Sequence, residues 1–526
     1  MAQFGLLGDM VAVRDTTPHI KLASAYLVNN SRWAYYDHNG IHRQPGRSSD
    51  LDVTPDANPI LRYHLHRSLN GTNYLFCFTK DHAYIWSSGT SKWTAMFTCS
   101  ASCTHWSTAS FNDKVIATNG VDLVQVWSAG TPGTAFADFG TSKSGLEVGD
   151  GVYMTKAKYV LVYRDYIHFF NVMEGGTAYP NMHRWGNHGQ ETFKVSTSDD
   201  DAGYRLYAPG NWVTGCGVYT AGGNDLLVAF TNRTIETEWL VVDATVFNWK
   251  TANYKLGCIA ADSIVNDAEG NLYFFGSDYH FHRFLTEARL SDDLATTVQT
   301  MHPTLCASIR AKYIQRYNRI WWAFPSGGSL TGNDKVLSLN LDLTGWDPIL
   351  DMAVSAFGEY VEGTTYTIDS IPFGTIDGIT WETIDSNENV AGWPLEIAGD
   401  YSGYSYRINS DVAYDMGAAY ESIVQVGTDL TQNNALEEYK RIHGLWTWFN
   451  RQVDSGYEAK LSIQGEADDT PESIGTVALD GGTAGNIIRT WTPCDVRSRD
   501  FIIQVSASND FHLYGILIDY DVDGNR

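Results

Sequence analysis

Short runs of aromatic and β-branched residues, broken by Gly, Asn and Asp, recur along almost the whole chain, and the three-or-four spacing of an amphipathic helix is nearly absent. Such runs suit strands, whose side chains point to opposite faces in turn. Five segments read as strand, tight turn, strand. Tyr74 to Phe78 and Ala83 to Trp86 flank Lys80-Asp81, and Val115 to Ala117 and Leu123 to Trp127 flank Asn119-Gly120. Tyr159 to Tyr163 and Tyr166 to Phe170 flank Arg164-Asp165, Leu226 to Phe230 and Thr234 to Leu240 flank Asn232-Arg233, and Leu272 to Phe275 and Tyr279 to Phe284 flank Ser277-Asp278. Only Asp292 to Val298 and Asn433 to Tyr439 predict a helical turn or two.

Turn centres near Asn39, Asp81, Asn119, Arg164, Asn232, Asp278, Gly327 and Asp377 lie roughly 40 to 50 residues apart, with one longer interval. That period, in an all-β chain of consecutive antiparallel strands, predicts a β-propeller of six to eight blades. The long interval holds residues 175–215, rich in Gly, Asn, His and Asp and including Asp199-Asp200-Asp201; it reads as an insertion projecting from one blade. After about Asp385 the rhythm changes to longer strands with fewer glycines, which predicts a C-terminal β-sandwich. The expected organisation is an N-terminal extension over 1–34, a propeller over 35–390 and a sandwich over 391–526.

Composition narrows the function. With 61 acidic and 36 basic residues the net charge is −25, which argues against a broad basic surface for nucleic acid. An apolar content of 43% is ample for a core, and charged residues make up only 18%, so disorder is excluded. Seven cysteines are too few and too scattered for a disulfide scaffold; they predict reduced, mostly buried thiols. No signal peptide and no membrane span is indicated.

The order of motifs resembles the β-propeller tail nozzle, or packaged-DNA stabilisation, proteins of short-tailed bacteriophages. The residues that carry it are Gly40 to Gly46 (Gly-Ile-His-Arg-Gln-Pro-Gly), Asn224 to Phe230 leading to Thr234-Ile235-Glu236, Gly257 to Ala260 ahead of Gly270 to Phe275, and Tyr317 to Trp322 ahead of Lys335-Val336-Leu337 and Trp346. Membership would imply a virion structural protein without enzymatic activity. It would be a homo-hexameric ring in the virion tail that meets portal or adaptor proteins and tail fibre, spike or needle proteins. Made in the bacterial host cytoplasm, such a ring extends the DNA channel, holds the genome in and passes it without sequence-specific binding. Net acidity suits a conduit that does not hold its cargo. The alternative from another class is a receptor-binding or glycan-active, sialidase-like propeller.

No catalytic, cofactor-binding or metal residues stand out, and no cofactor is implied. Thr375 to Trp381 resembles an Asp-box but lacks one residue, and reads as a structural hairpin. Asp519 to Asn525 begins like a calcium loop, yet no Glu follows at the twelfth position. Cys99, Cys103 and His105 supply three potential ligands where a structural zinc site needs four. His280 and His282 alternate on one strand face, suited to solvent or a subunit contact. Most Trp and Tyr residues fall in strands and belong to core, but Trp185, Tyr204 and Trp212 lie among polar residues of the expected insertion. These three are the candidate interface.

Overall fold

The computed structural model describes residues 2–5, 11–14, 26–28, 31–140, 146–194, 201–241, 246–286, 288–361, 394–408, 414–428, 439–452, 455–465, 470–480, 486–498 and 501–524. All five predicted hairpins form as antiparallel pairs. At Arg164 and Asp165 both turn residues have positive φ, 51° and 60°. That is the mirror-image turn whose twist matches the flanking strands, and it sets Tyr163 opposite Tyr166. Asp292–Leu294 forms a 3-10 turn that runs into the short helix Ala295–Gln299. The second predicted helical stretch lies outside the described residues except for Tyr439, which opens a strand.

How the hairpins assemble differs from the expectation. Among the described residues the strands form ten separate sheets. Small antiparallel sheets of three to five strands, each built from neighbours in the chain, follow one another from Ile60 to Trp346. A further four-stranded sheet joins Ala356–Tyr360, Leu395–Gly399 and Ser405–Arg407 to Ser48–Leu51 from far upstream. Two six-stranded sheets interleave the chain ends. One pairs Tyr439–Asn450, Ile487–Ser498 and His512–Gly524 with Ala2–Gly5, Ala34–Asp37 and Gly40–Arg43; the other pairs Ser422–Thr428, Glu458–Gln464, Glu472–Ala478 and Phe501–Ala507 with Val11–Arg14 and Tyr26–Val28.

The expected six-to-eight-bladed propeller followed by a self-contained C-terminal sandwich is thereby overturned in favour of a series of separate antiparallel sheets. The long insertion falls as well: Thr177–Trp185 and Gly203–Leu206 are the fourth and fifth strands of one sheet. Turn residues report the local geometry of a hairpin. Which sheet edge accepts a strand from the far end of the chain depends on long-range pairing, and that leaves no local mark.

Apolar cores lie between adjacent sheets. Phe76, Phe78, Trp106, Val115 and Trp127 fill one of them. The largest joins Phe275, Trp322 and Trp346 to Val424, Ile442 and Ile518, tying the small sheets to the six-stranded pair. Each such side chain contributes about 1.5–3 kcal/mol when fully buried. All seven cysteines are free, four of them buried.

Candidate functional site: a cavity lined by two guanidiniums

The strands Ile60–Arg67, Ser107–Phe111, Val152–Tyr163, Val213–Tyr219, Arg310–Ile314 and Ala356–Tyr360 belong to different sheets and each contributes to one cavity of about 240 Å³. Arg62 sits where the pairing of its strand slips between Ile60 and Arg62, a bulge that re-aims a side chain. His105 precedes the strand Ser107–Phe111 and is anchored by its neighbour Trp106, whose Nε1 donates to the Thr79 carbonyl at 2.8 Å. Asp262 rides on the tight turn Ala261–Ser263. Ser263 clamps that turn: its Oγ donates to the Ala260 carbonyl at 2.7 Å and accepts from the Phe275 amide at 2.9 Å, and its carbonyl accepts from Trp322 Nε1 at 3.1 Å. Gly215 makes room for the turn, because a Cβ there would lie 2.6 Å from Ile264 Cδ1 and 3.2 Å from Ala261 Cα.

Asp262 is the hub. Arg62 Nη1 approaches its Oδ1 at 3.1 Å, Arg310 Nη1 pairs with its Oδ2, and His105 Nδ1 faces the same Oδ2 at 3.2 Å. Arg62 Nε donates to Thr108 Oγ1 at 2.9 Å, and Arg310 Nε donates to the Ser355 carbonyl at 3.2 Å. Among the described residues the Nη2 of neither arginine has a protein acceptor, although a guanidinium carries five donors. His105 Nε2 is also without a partner.

The charges do not balance. Burial pushes the Arg310 guanidinium down to about 10, so it stays cationic at neutral pH. Burial, then Arg310, Arg62 and Lys158, hold the His105 imidazole well below its ordinary value, so the ring is neutral. Two cations therefore share one carboxylate, leaving a surplus positive charge in a protein of net charge −25. Removing charges from water costs several kcal/mol each unless partners replace the lost hydration. An anion in the cavity would restore the balance and take the idle donors.

The residues singled out from sequence lie elsewhere. Trp185 is 8% exposed, donates from Nε1 to the Asp201 carbonyl at 2.8 Å and packs edge-on to Phe247, so it is core. Tyr204 and Trp212 are at the surface, 56% and 49% exposed. Cys99 and Cys103 lie side by side and share a thiol–thiol hydrogen bond, but His105 turns away from them to Asp262, so the three do not form one site. Against the expected solvent or subunit contact, His282 is buried against Phe274 and bonded to Asp278 at 2.9 Å. The acids from Asp519 lie along the strand His512–Gly524, where Asp521 meets His443 Nε2 at 2.9 Å. Asp199, Asp200 and the segment Thr375 to Trp381 lie outside the described residues. Sequence reasoning missed Arg62, Asp262 and Arg310, which come from two different sheets and a 3-10 turn with no shared motif.

A second buried cluster was missed as well. Glu238 Oε1 accepts from Arg205 Nη1 at 3.0 Å and Tyr207 Oη at 2.9 Å, while Oε2 faces His183 Nδ1 at 3.0 Å. His183 Nε2 meets His168 Nδ1 at 2.8 Å, and Arg205 Nη2 donates to Glu236 Oε2 at 3.0 Å. Its one legible sign is the period-two spacing of Glu236 and Glu238 on a strand.

No family model and no curated protein matches the chain. Among solved structures it is similar to an extracellular domain from B. thetaiotaomicron, with 11% identity and a TM-score of 0.36, over 57% of this chain and 38% of that one. The chain thus spans well under half the length of that domain, and so slight a likeness carries no argument. With separate sheets in place of a propeller, and no family model or curated protein matched, the resemblance to phage tail nozzles is overturned. The nozzle subunit, its hexameric ring in a virion tail, and the propeller-based receptor or glycan reading are withdrawn with it. No helix among the described residues is long and apolar enough to cross a membrane.

Proposed function

We propose that this protein is a binding protein for a small oxyanion, held at the cavity between the sheets. The observation that carries this reading is the pair Arg62 and Arg310, which share the single carboxylate of Asp262 and keep unspent donors beside open space. Charge-assisted bonds from guanidinium to oxyanion are about twice as strong as neutral ones, and the arginine fork matches a carboxylate or phosphate. Burial in a low-dielectric wall strengthens them further.

The same walls favour retention of the ligand over its conversion. The Cys216 thiol is pushed up to about 12 by burial, with Arg62 acting against it, so it carries no thiolate at neutral pH. Ser107 Oγ is occupied by the backbone of Val160, accepting from its N–H at 3.0 Å and donating to its carbonyl at 3.2 Å. Neither is an activated nucleophile.

Calorimetric titration of the purified chain with acetate, phosphate and citrate tests the proposal. Saturable binding of at least one, weakened at least about tenfold in Arg310→Met, is expected. Equal heats for wild type and Arg310→Met, or no binding of any oxyanion, would overturn it.

A further inference from the structure

Cys99 and Cys103 stand at the two ends of a surface loop whose intervening residues, Ser100, Ala101 and Ser102, are all exposed. The turn Lys80-Asp81 holds both ends: the Cys99 amide donates to the Asp81 carbonyl and the Cys103 amide to the Lys80 carbonyl, each at 2.8 Å. Ser102 Oγ donates to Asp81 Oδ1 at 2.6 Å, and the Ser100 amide donates to Asp122 Oδ1 at 3.0 Å. Bonded to successive carbonyls, the two residues bring their thiols together, and the sulfurs share a hydrogen bond. We infer that this pair is a reversible oxidation site, which closes to an intramolecular disulfide by exchange with a small-molecule disulfide. Sulfurs already in contact close by side-chain rotation, without the backbone movement that a distant pair requires.

The shared hydrogen bond supplies the nucleophile. It holds the Cys103 thiol below its ordinary value against burial and raises that of Cys99, so the pair gives up one proton readily and keeps the other between the sulfurs. Cys103 is buried, whereas Cys99 is half-buried, so exchange begins at Cys99. With the shared proton on Cys103, the Cys99 thiolate attacks the small disulfide, forms a mixed disulfide and expels one small thiolate. Cys103 then gives its proton to water and attacks the Cys99 sulfur, which makes the internal bond and expels the second thiolate. The two cysteines lose two electrons and the small disulfide gains them. Burial raises the other five thiols, which sets this pair apart. A structural metal needs more ligands, and among the described residues no group of three His, Cys, Asp or Glu is placed to hold one.

The test incubates the reduced, folded protein with oxidised glutathione at neutral pH, alkylates the remaining thiols and maps the peptides by mass spectrometry. Wild-type protein should lose two hydrogens and yield Cys99 linked to Cys103, a bond that dithiothreitol reopens. The linkage should form at least about tenfold faster than glutathione adds to Cys494, whose thiol burial pushes up to about 11. In Cys103→Ser no second thiol resolves the mixed disulfide, so a glutathione adduct should persist on Cys99. Absence of the linkage in wild type, its formation no faster than reaction at Cys494, or a lasting adduct on wild-type Cys99 would each overturn the inference. All three readouts come from the wild-type chain, so misfolding of Cys103→Ser cannot rescue it.

Discussion

The cluster around Asp262 and the cluster around Glu238 bury the same kinds of side chain, arginine, histidine and carboxylate, but the first lines a cavity while His183 of the second is stacked on Phe170. Around Glu238 the charges are met within the cluster, His183 Nδ1 lying against Glu238 Oε2 as an ion pair at 3.0 Å and not as a hydrogen bond. Arg205 spends one Nη on Glu238 and the other on Glu236, Tyr207 and His183 take the remaining faces of Glu238, and Thr234 and Thr251 complete Glu236 at 3.0 and 2.9 Å. Around Asp262 a single carboxylate serves two guanidiniums, and donors are left over. A cluster whose charges are matched internally explains itself as structure. An open one with surplus charge points outside the protein for its missing member.

Breaking the closed network should have the largest effect. Glu238→Ala leaves Arg205 with Glu236 alone and takes the carboxylate from the fully buried His183, and loss of a buried partner costs about 3–5 kcal/mol. Urea denaturation measures this. A loss below about 1 kcal/mol would show that the closed cluster is no more structural than the open one.

The open cluster should respond in the opposite sense. In Arg310→Met the surplus cation is gone and Asp262 keeps Arg62 and His105, so stability should change by less than about 1 kcal/mol. Oxyanion affinity should fall about tenfold to a hundredfold. A stability loss matching that of Glu238→Ala would erase the distinction between the clusters.

Both clusters also contribute to pH dependence, with a definite sign. His105 and His168 are held well below the ordinary histidine value, chiefly by burial. The folded state therefore binds fewer protons than the unfolded chain below about pH 6.5, and stability falls as pH drops, by at most about 1.4 kcal/mol per unit for each group. Burial would raise the Glu238 carboxyl, but His183 and Arg205 overcome it and hold it down to about 2, so its contribution persists above its unfolded value and is lost as pH falls towards 2. Denaturant midpoints between pH 7 and 5 should decline, and His105→Phe should flatten that slope. An unchanged slope would mean that His105 is not held neutral.

What could be read from the chain was local. Arg164-Asp165, polar between two apolar runs, announced a tight turn, and the strands on either side followed. Leu395–Gly399 is one of the strands beyond Asp385. Nothing near it says that this strand pairs with Phe357 and Gly358 and joins a sheet closed by Ser48–Leu51. The candidate site shares that difficulty. Arg62, His105, Asp262 and Arg310 are successively 43, 157 and 48 residues apart along the chain, and a lone arginine on a strand looks like any solvated arginine. Trp185 misled for the converse reason: polar neighbours along the chain concealed a packed environment in space.

The smallest and most discriminating change is Arg62→Lys. It retains the cation but replaces a planar fork with a point charge, so it separates charge from geometry. Arg62 keeps 34% of its side chain exposed, against 10% for Arg310, which weakens its electrostatic contribution to the fold. Lysine can still reach a carboxylate, but it has no counterpart to the Nε that donates to Thr108 while Nη1 meets Asp262. Stability should therefore move by no more than about 0.5 kcal/mol, and oxyanion affinity should fall about threefold to tenfold, less than in Arg310→Met. Affinity equal to wild type would mean that surplus charge alone draws the ligand. A loss as large as that of Arg310→Met would mean that both forks grip it directly, placing the oxyanion between the two guanidiniums.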